Sequence, residues 1–222
     1  MDIASPLVAK DHLSGSLLAN DLYFVLHNDR TGRMRLHPRV TGLGLAGAVL
    51  GELMLAGHIT AGIAAGEVRL ALVNTHPTGD PVTQKALDHI IAEPSHSFRT
   101  WLQFLGQSAP ADVGSRMIQA GLLHPPARRS WLRAAPPPTP VDPNTAMWPI
   151  GRLNLAVERR EPLNEQDNVL LGLVSAAGGA RVVLWDQDPD YLAHATAALP
   201  VHLRELVAQT EAAVGDAVIS RR

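Results

Sequence analysis

The sequence contains no cysteine. That excludes disulfides, thiol nucleophiles and thiolate-bound zinc or iron–sulfur sites. Aromatic residues make up only 4% of the chain against 46% hydrophobic residues overall. A core must therefore be assembled mainly from Leu, Val, Ile and Ala. Neither sign of charge prevails, with 19 Lys+Arg against 21 Asp+Glu and a net charge of −2. This balance excludes a generally basic protein and argues against nucleic acid as a partner. Lysine is nearly missing as well. Lys10 and Lys85 stand alone, and the other cations are arginines, whose planar fork suits carboxylate and phosphate.

Long uninterrupted apolar runs are also scarce. The most apolar stretch, Val40 to Ile59, contains Glu52 and five glycines. A membrane span needs about 20 mostly apolar residues, so this stretch reads as a buried core helix. The N-terminus lacks a basic region followed by a long apolar run, and no secretory signal is expected. Together these features predict a cytoplasmic protein that leaves peripheral membrane binding open. The length of 222 residues supports one domain over 1–222, with an N-terminal tail at 1–14.

Signatures of catalysis are missing too. The ten histidines form no H-E-x-x-H or other compact ligand set, and they read as scattered surface residues. There is no G-x-S-x-G elbow and no G-x-x-x-x-G-K-[ST] phosphate loop. Gly42-Leu43-Gly44-Leu45-Ala46-Gly47 mimics a dinucleotide fingerprint. The preceding Met34–Arg39 is no buried strand, however, so nucleotide binding is not expected. His76 beside Asp80 and Asp88 beside His89 read as cap and surface groups. No catalytic residue, metal site or cofactor is predicted.

The local patterns predict a mainly α fold with one or two small β-hairpins. Ser16–His27 has helical apolar spacing, and Asn28–Gly32 is a turn cluster. Thr41 is placed to cap a helix over Gly42–Ala56, closed by Gly57. The glycines of that helix would let a neighbouring helix approach closely. His58–Ile63 and Glu67–Val73 read as a hairpin. Asp80 and Pro81 start a helix to about Ala92 that buries Val82, Ala86, Leu87, Ile90 and Ile91. Further helices are expected at 97–105, 112–120, 146–160, 164–177, 189–197 and 201–219. The segment 124–149 is proline-rich and reads as an exposed loop or projecting hairpin.

Two basic clusters stand out. Arg30, Arg33, Arg35 and Arg39, with His37, precede the glycine-rich helix. Arg128, Arg129 and Arg133 surround Trp131 and Leu132. Arginine beside an exposed aromatic suits anionic headgroups at a membrane surface.

Four segments in order carry a family resemblance. They are Leu17-Leu18-Ala19-Asn20-Asp21-Leu22-Tyr23 through Gly32, then Gly44-Leu45-Ala46-Gly47 through Gly57. Pro77-Thr78-Gly79-Asp80 with Ala86-Leu87-Asp88 follows, and then Met117-Ile118-Gln119-Ala120-Gly121-Leu122-Leu123. This order resembles the Golgi phosphoprotein 3 family, whose eukaryotic members bind phosphatidylinositol 4-phosphate and which has bacterial relatives. The arginine bias fits GC-rich coding and hence a bacterial member.

The resemblance implies a compact helical domain with a projecting hairpin and a non-catalytic role. The expected function is binding of anionic, phosphoinositide-like phospholipid headgroups as a peripheral adaptor at the inner face of a membrane. It also allows a protein client and self-association. The family's headgroup positions fall on His37 and Ala46, and Gln107–Asp112 offers no arginine. Arg35, Arg39 and Arg116 are then the cations expected to serve with His37. Arg128, Arg129, Trp131, Leu132 and Arg133 are expected on the hairpin. A second reading takes Asp112–Ala120 and the basic segment after it as a winged-helix DNA-binding unit, with Arg116 as its basic residue.

Overall fold

The computed structural model describes residues 17–64, 66–126 and 136–220. Among these, ten helices and two antiparallel strand pairs are formed, so the mainly α expectation is met. Helix α1 (Leu18–Leu26) is buried along its whole length. Helix α2 (Pro38–Leu55) is the axis of the molecule and is buried from Val40 to Met54. It starts one turn earlier than expected. His37 caps it by accepting the Arg39 N–H at Nδ1 (3.2 Å), and Pro38 occupies the first turn. Proline's fixed φ is preorganised for that position. Thr41, expected as the cap, lies inside the helix and is fully buried.

Gly57 follows the helix in the left-handed region (φ +72°) and closes it as expected. Next come β1 (Ile59–Ala64) and β2 (Glu67–Leu72), paired from Ile59↔Leu72 to Ala64↔Glu67. Asp80 caps α3 (Pro81–Ala92) through the Val82 and Thr83 N–H groups. One residue of this helix departs from expectation. Ile91 is 39% exposed, because the face packed on the core carries Leu87 and Ile90 instead.

Helices α4 (Phe98–Gly106) and α5 (Ala109–Gln119) pack on α2, with Ser97 capping α4. The glycines of α2 have the expected effect. A Cβ on Gly42 would sit 2.3 Å from the Gly106 carbonyl oxygen, and one on Gly47 would sit 2.7 Å from Thr210 Oγ1. At Gly42 two backbones meet, and at Gly47 a side chain meets the backbone, at distances that a Cβ would forbid.

The proline-rich segment is only partly a hairpin. Strands β3 (Leu123–His124) and β4 (Thr139–Pro140) pair at its base. Its last residues are helical, because Asp142 caps α6 (Pro143–Arg159) and Pro143 begins it. Then follow α7 (Glu165–Ala176), the unanticipated single turn α8 (Ala180–Val183), α9 (Pro189–Ala197) and α10 (Val201–Ile219). Helices α1, α4, α7 and α10 surround α2, and one hydrophobic cluster links them. No helix among the described residues is long and apolar enough to cross a membrane.

Candidate functional site

The segments that carry the family resemblance converge on a buried ion cluster. Arg116 of α5 forks onto Glu52 of α2, with Nη1 to Oε2 at 2.9 Å and Nη2 to Oε1 at 3.1 Å. Its Nη1 also donates to Asp80, the cap of α3, at 3.0 Å. Its Nε and Nη2 donate to Asn20 Oδ1 of α1 at 3.0 and 2.8 Å. Glu52 Oε1 also accepts the Ala19 N–H at 2.7 Å. An arginine has five N–H donors, and these contacts occupy all of them. Burial opposes the charge, yet Glu52 and Asp80 hold Arg116 above the ordinary arginine range. Burial also pushes the Glu52 carboxyl above the usual carboxylate range, against the pull of Arg116.

This geometry corrects the expectation for Arg116. It was expected to meet a headgroup, but it is 6% exposed and has no donor left to offer. The exposed residues of α5 are Ala111, Ser115 and Gln119. The winged-helix reading thereby loses the one cation of its recognition helix. A second arginine locks the neighbouring residue of α1. Arg152 of α6 reaches Asp21 at 2.6 Å and Asp167 at 2.8 Å. Neither cluster was legible as a unit in the sequence, although an acid within an apolar helix, Glu52, was the available signal.

The other expected cations lie on the connection between α1 and α2. Arg30, Arg33, His37 and Arg39 are exposed there. Arg35 is half-buried and partly engaged, with Nε donating to the His27 carbonyl (3.0 Å) and Nη2 reaching Asp29 (3.4 Å). Arg39 donates from Nη1 to Ser220 Oγ at 3.3 Å. Asp29 is the single acid between His27 and Gly51, so the connection is locally cationic. The structure thus brings Arg35, His37 and Arg39 onto one segment and sets Arg116 apart. Ala46, which the resemblance places at a headgroup position, is sealed in the core. Arg128, Arg129, Trp131, Leu132 and Arg133 lie outside the described residues.

Beside this connection lies a cavity of about 630 Å³ that the sequence did not announce. Tyr23 of α1 and His27, which follows the helix, form one wall, their rings stacked at 3.8 Å. His27 is buried rather than on the surface, as is His58, which contradicts the expectation for scattered histidines. The His27 Nδ1–H donates to the Tyr23 carbonyl at 2.7 Å. Burial lowers its pKa to about 4, so the ring is neutral near pH 7. Among the described residues no group of His, Asp and Glu is arranged to hold a metal ion.

Fold and site together define a mainly helical domain, built on a buried glycine-rich axis and locked by an internal arginine. The chain belongs to the family described as Golgi phosphoprotein 3 (GPP34), whose model matches residues 18–219, nearly the whole chain. No curated protein matches it.

Proposed function

We propose that the protein is a peripheral adaptor that binds anionic phospholipid headgroups at a membrane surface and acts by binding rather than catalysis. Family membership supports the class of activity. The observation that carries the reading is the exposed arginine set on the α1–α2 connection, Arg30, Arg33 and Arg39, with His37 beside it. The cationic segment leads into the N-terminus of α2, where the helix dipole adds positive potential. Arg35 shapes the segment through its contacts to His27 and Asp29. With Arg116 turned inward and Ala46 sealed, the headgroup would meet the exposed arginines of the connection instead of a pocket built around those two positions. Such a surface favours anionic lipids by charge, with little selectivity among headgroups. A protein client and a role at the inner face of a bacterial membrane belong to the same proposal.

The test is co-sedimentation with vesicles of phosphatidylglycerol and phosphatidylcholine, and with phosphatidylcholine alone. The protein should pellet only with the first. Each arginine near an anionic surface contributes about 1 kcal/mol. The triple variant Arg30→Glu, Arg33→Glu, Arg39→Glu should therefore lower partitioning about a hundredfold or more. Equal pelleting of the variant, or equal pelleting with neutral vesicles, overturns the proposal. Arg35 is left intact because reversing it would break contacts inside the protein.

A further inference from the structure

From the cavity between α1 and α5 we infer a second binding site, one that takes a single alkyl chain ending in an anionic group. Its volume of about 630 Å³ falls within the usual range for small-molecule pockets. The α5 wall is made by Pro110, Gly114 and Ile118, one turn apart along a single face of the helix. Small residues on that face keep the space open, and Gly114 lies against the Tyr23 ring. Pro137, Pro138 and Met34 close the remaining sides with apolar atoms.

The chemistry of the walls narrows the occupant. Among the described residues two titratable groups that are neutral near pH 7 line the interior, Tyr23 and His27. Burial raises the Tyr23 phenol and lowers the His27 imidazole. Among the described residues Arg33 is then the only charged one in the lining, and it is exposed. Among the described residues no carboxylate is paired with it. A neutral, mostly apolar interior with one free cation at the mouth matches an apolar tail carrying one anion. A polyphosphorylated headgroup would find a single partner here and would lose hydration to proline and methionine. The site borders the vesicle-facing surface and shares Arg33 with it, but its apolar interior would take a monomeric amphiphile from solution.

The experiment is calorimetric titration of the full chain with three monomeric probes, dodecanoate, lauroyl lysophosphatidate and dodecyltrimethylammonium. The expected result is saturable one-to-one binding of an anionic probe and none of the cationic one. Tighter dodecanoate identifies a free fatty acid as the source, and tighter lysophosphatidate identifies a membrane lipid. Arg33→Gln should weaken the anionic probe about tenfold, the loss of a charge-assisted contact. Ala111→Phe, placed at an exposed position of the same wall, should block the cavity while Arg30, Arg33 and Arg39 remain. That variant should still pellet with anionic vesicles, which separates failure of this site from failure of the surface. Gly114→Leu provides an independent block from the same face of α5, one turn along. No saturable binding, or binding unchanged in both Arg33→Gln and Ala111→Phe, overturns the inference.

Discussion

Arg116 and His27 show how burial assigns a role that residue type leaves open. Arg116 lies between two acids and an amide. Removing it would leave Glu52 in the core without its cation. Breaking a buried pair in this way typically destabilises by about 3–5 kcal/mol. Arg116→Met should therefore lower the urea midpoint strongly. Arg116→Lys should rescue little, since one ammonium cannot reproduce the fork. A midpoint within error of the parent in both would refute this role.

His27 makes a pH prediction. Burial, chiefly, holds its folded pKa near 4, while the unfolded value is about 6.5. Between these values the unfolded chain binds the extra proton. Stability from this residue is thus complete above the unfolded value and is lost as pH falls towards 4. The full loss is about 3 kcal/mol. His27→Phe keeps the stack on Tyr23 and should flatten the stability profile in that window, as measured by denaturation at stepped pH.

Elements were legible where capping chemistry and periodicity agree. Asp80-Pro81 begins α3, Ser97 begins α4, and Gly57 closes α2. Boundaries moved where a less familiar cap took over, as with the His37 ring at α2 and Asp142 at α6. Periodicity also failed at Ile91, because the face of α3 that meets the core is centred on Leu87 and Ile90 and leaves Ile91 at its edge. The glycine-rich pattern of α2 announced close packing but not its partners, which come from α1, α4, α7 and α10. A matched pair tests this. Gly42→Ala would press a methyl into the Gly106 carbonyl and should destabilise by about 1–3 kcal/mol through overpacking. Gly114→Ala would meet Tyr23 at an ordinary 3.5 Å and should leave the melting temperature unchanged or raise it. Thermal denaturation of the two variants decides, and equal effects would contradict the packing described.

For the whole molecule, the near-neutral charge total conceals where the charge lies. The α1–α2 connection is cationic although the net charge is −2. Attraction to an anionic membrane would then be local, and screening would act on it directly. The Debye length is about 10 Å at 0.1 M salt and about 3 Å at 1 M. Pelleting with phosphatidylglycerol vesicles should fall steeply across that range. Salt-insensitive pelleting would point to apolar insertion instead.

Composition and periodicity by themselves determined the class of fold. The chain has too few aromatics for an aromatic-built core, no thiols, and one apolar stretch interrupted by glycine and glutamate that had to become a buried axis. They also marked Arg30–Arg39 as a cationic segment, because exposed loops keep the charges they are given. Tertiary structure alone decided which arginines remain available. Arg116 and Arg152 look no different from Arg39 in one dimension. Folding encloses the first two among carboxylates from distant elements, where desolvation makes pairing obligatory, and leaves the third in water. The cavity belongs to the same category, since the gap between α1 and α5 exists only once small residues of one helix are set against the rings of the other.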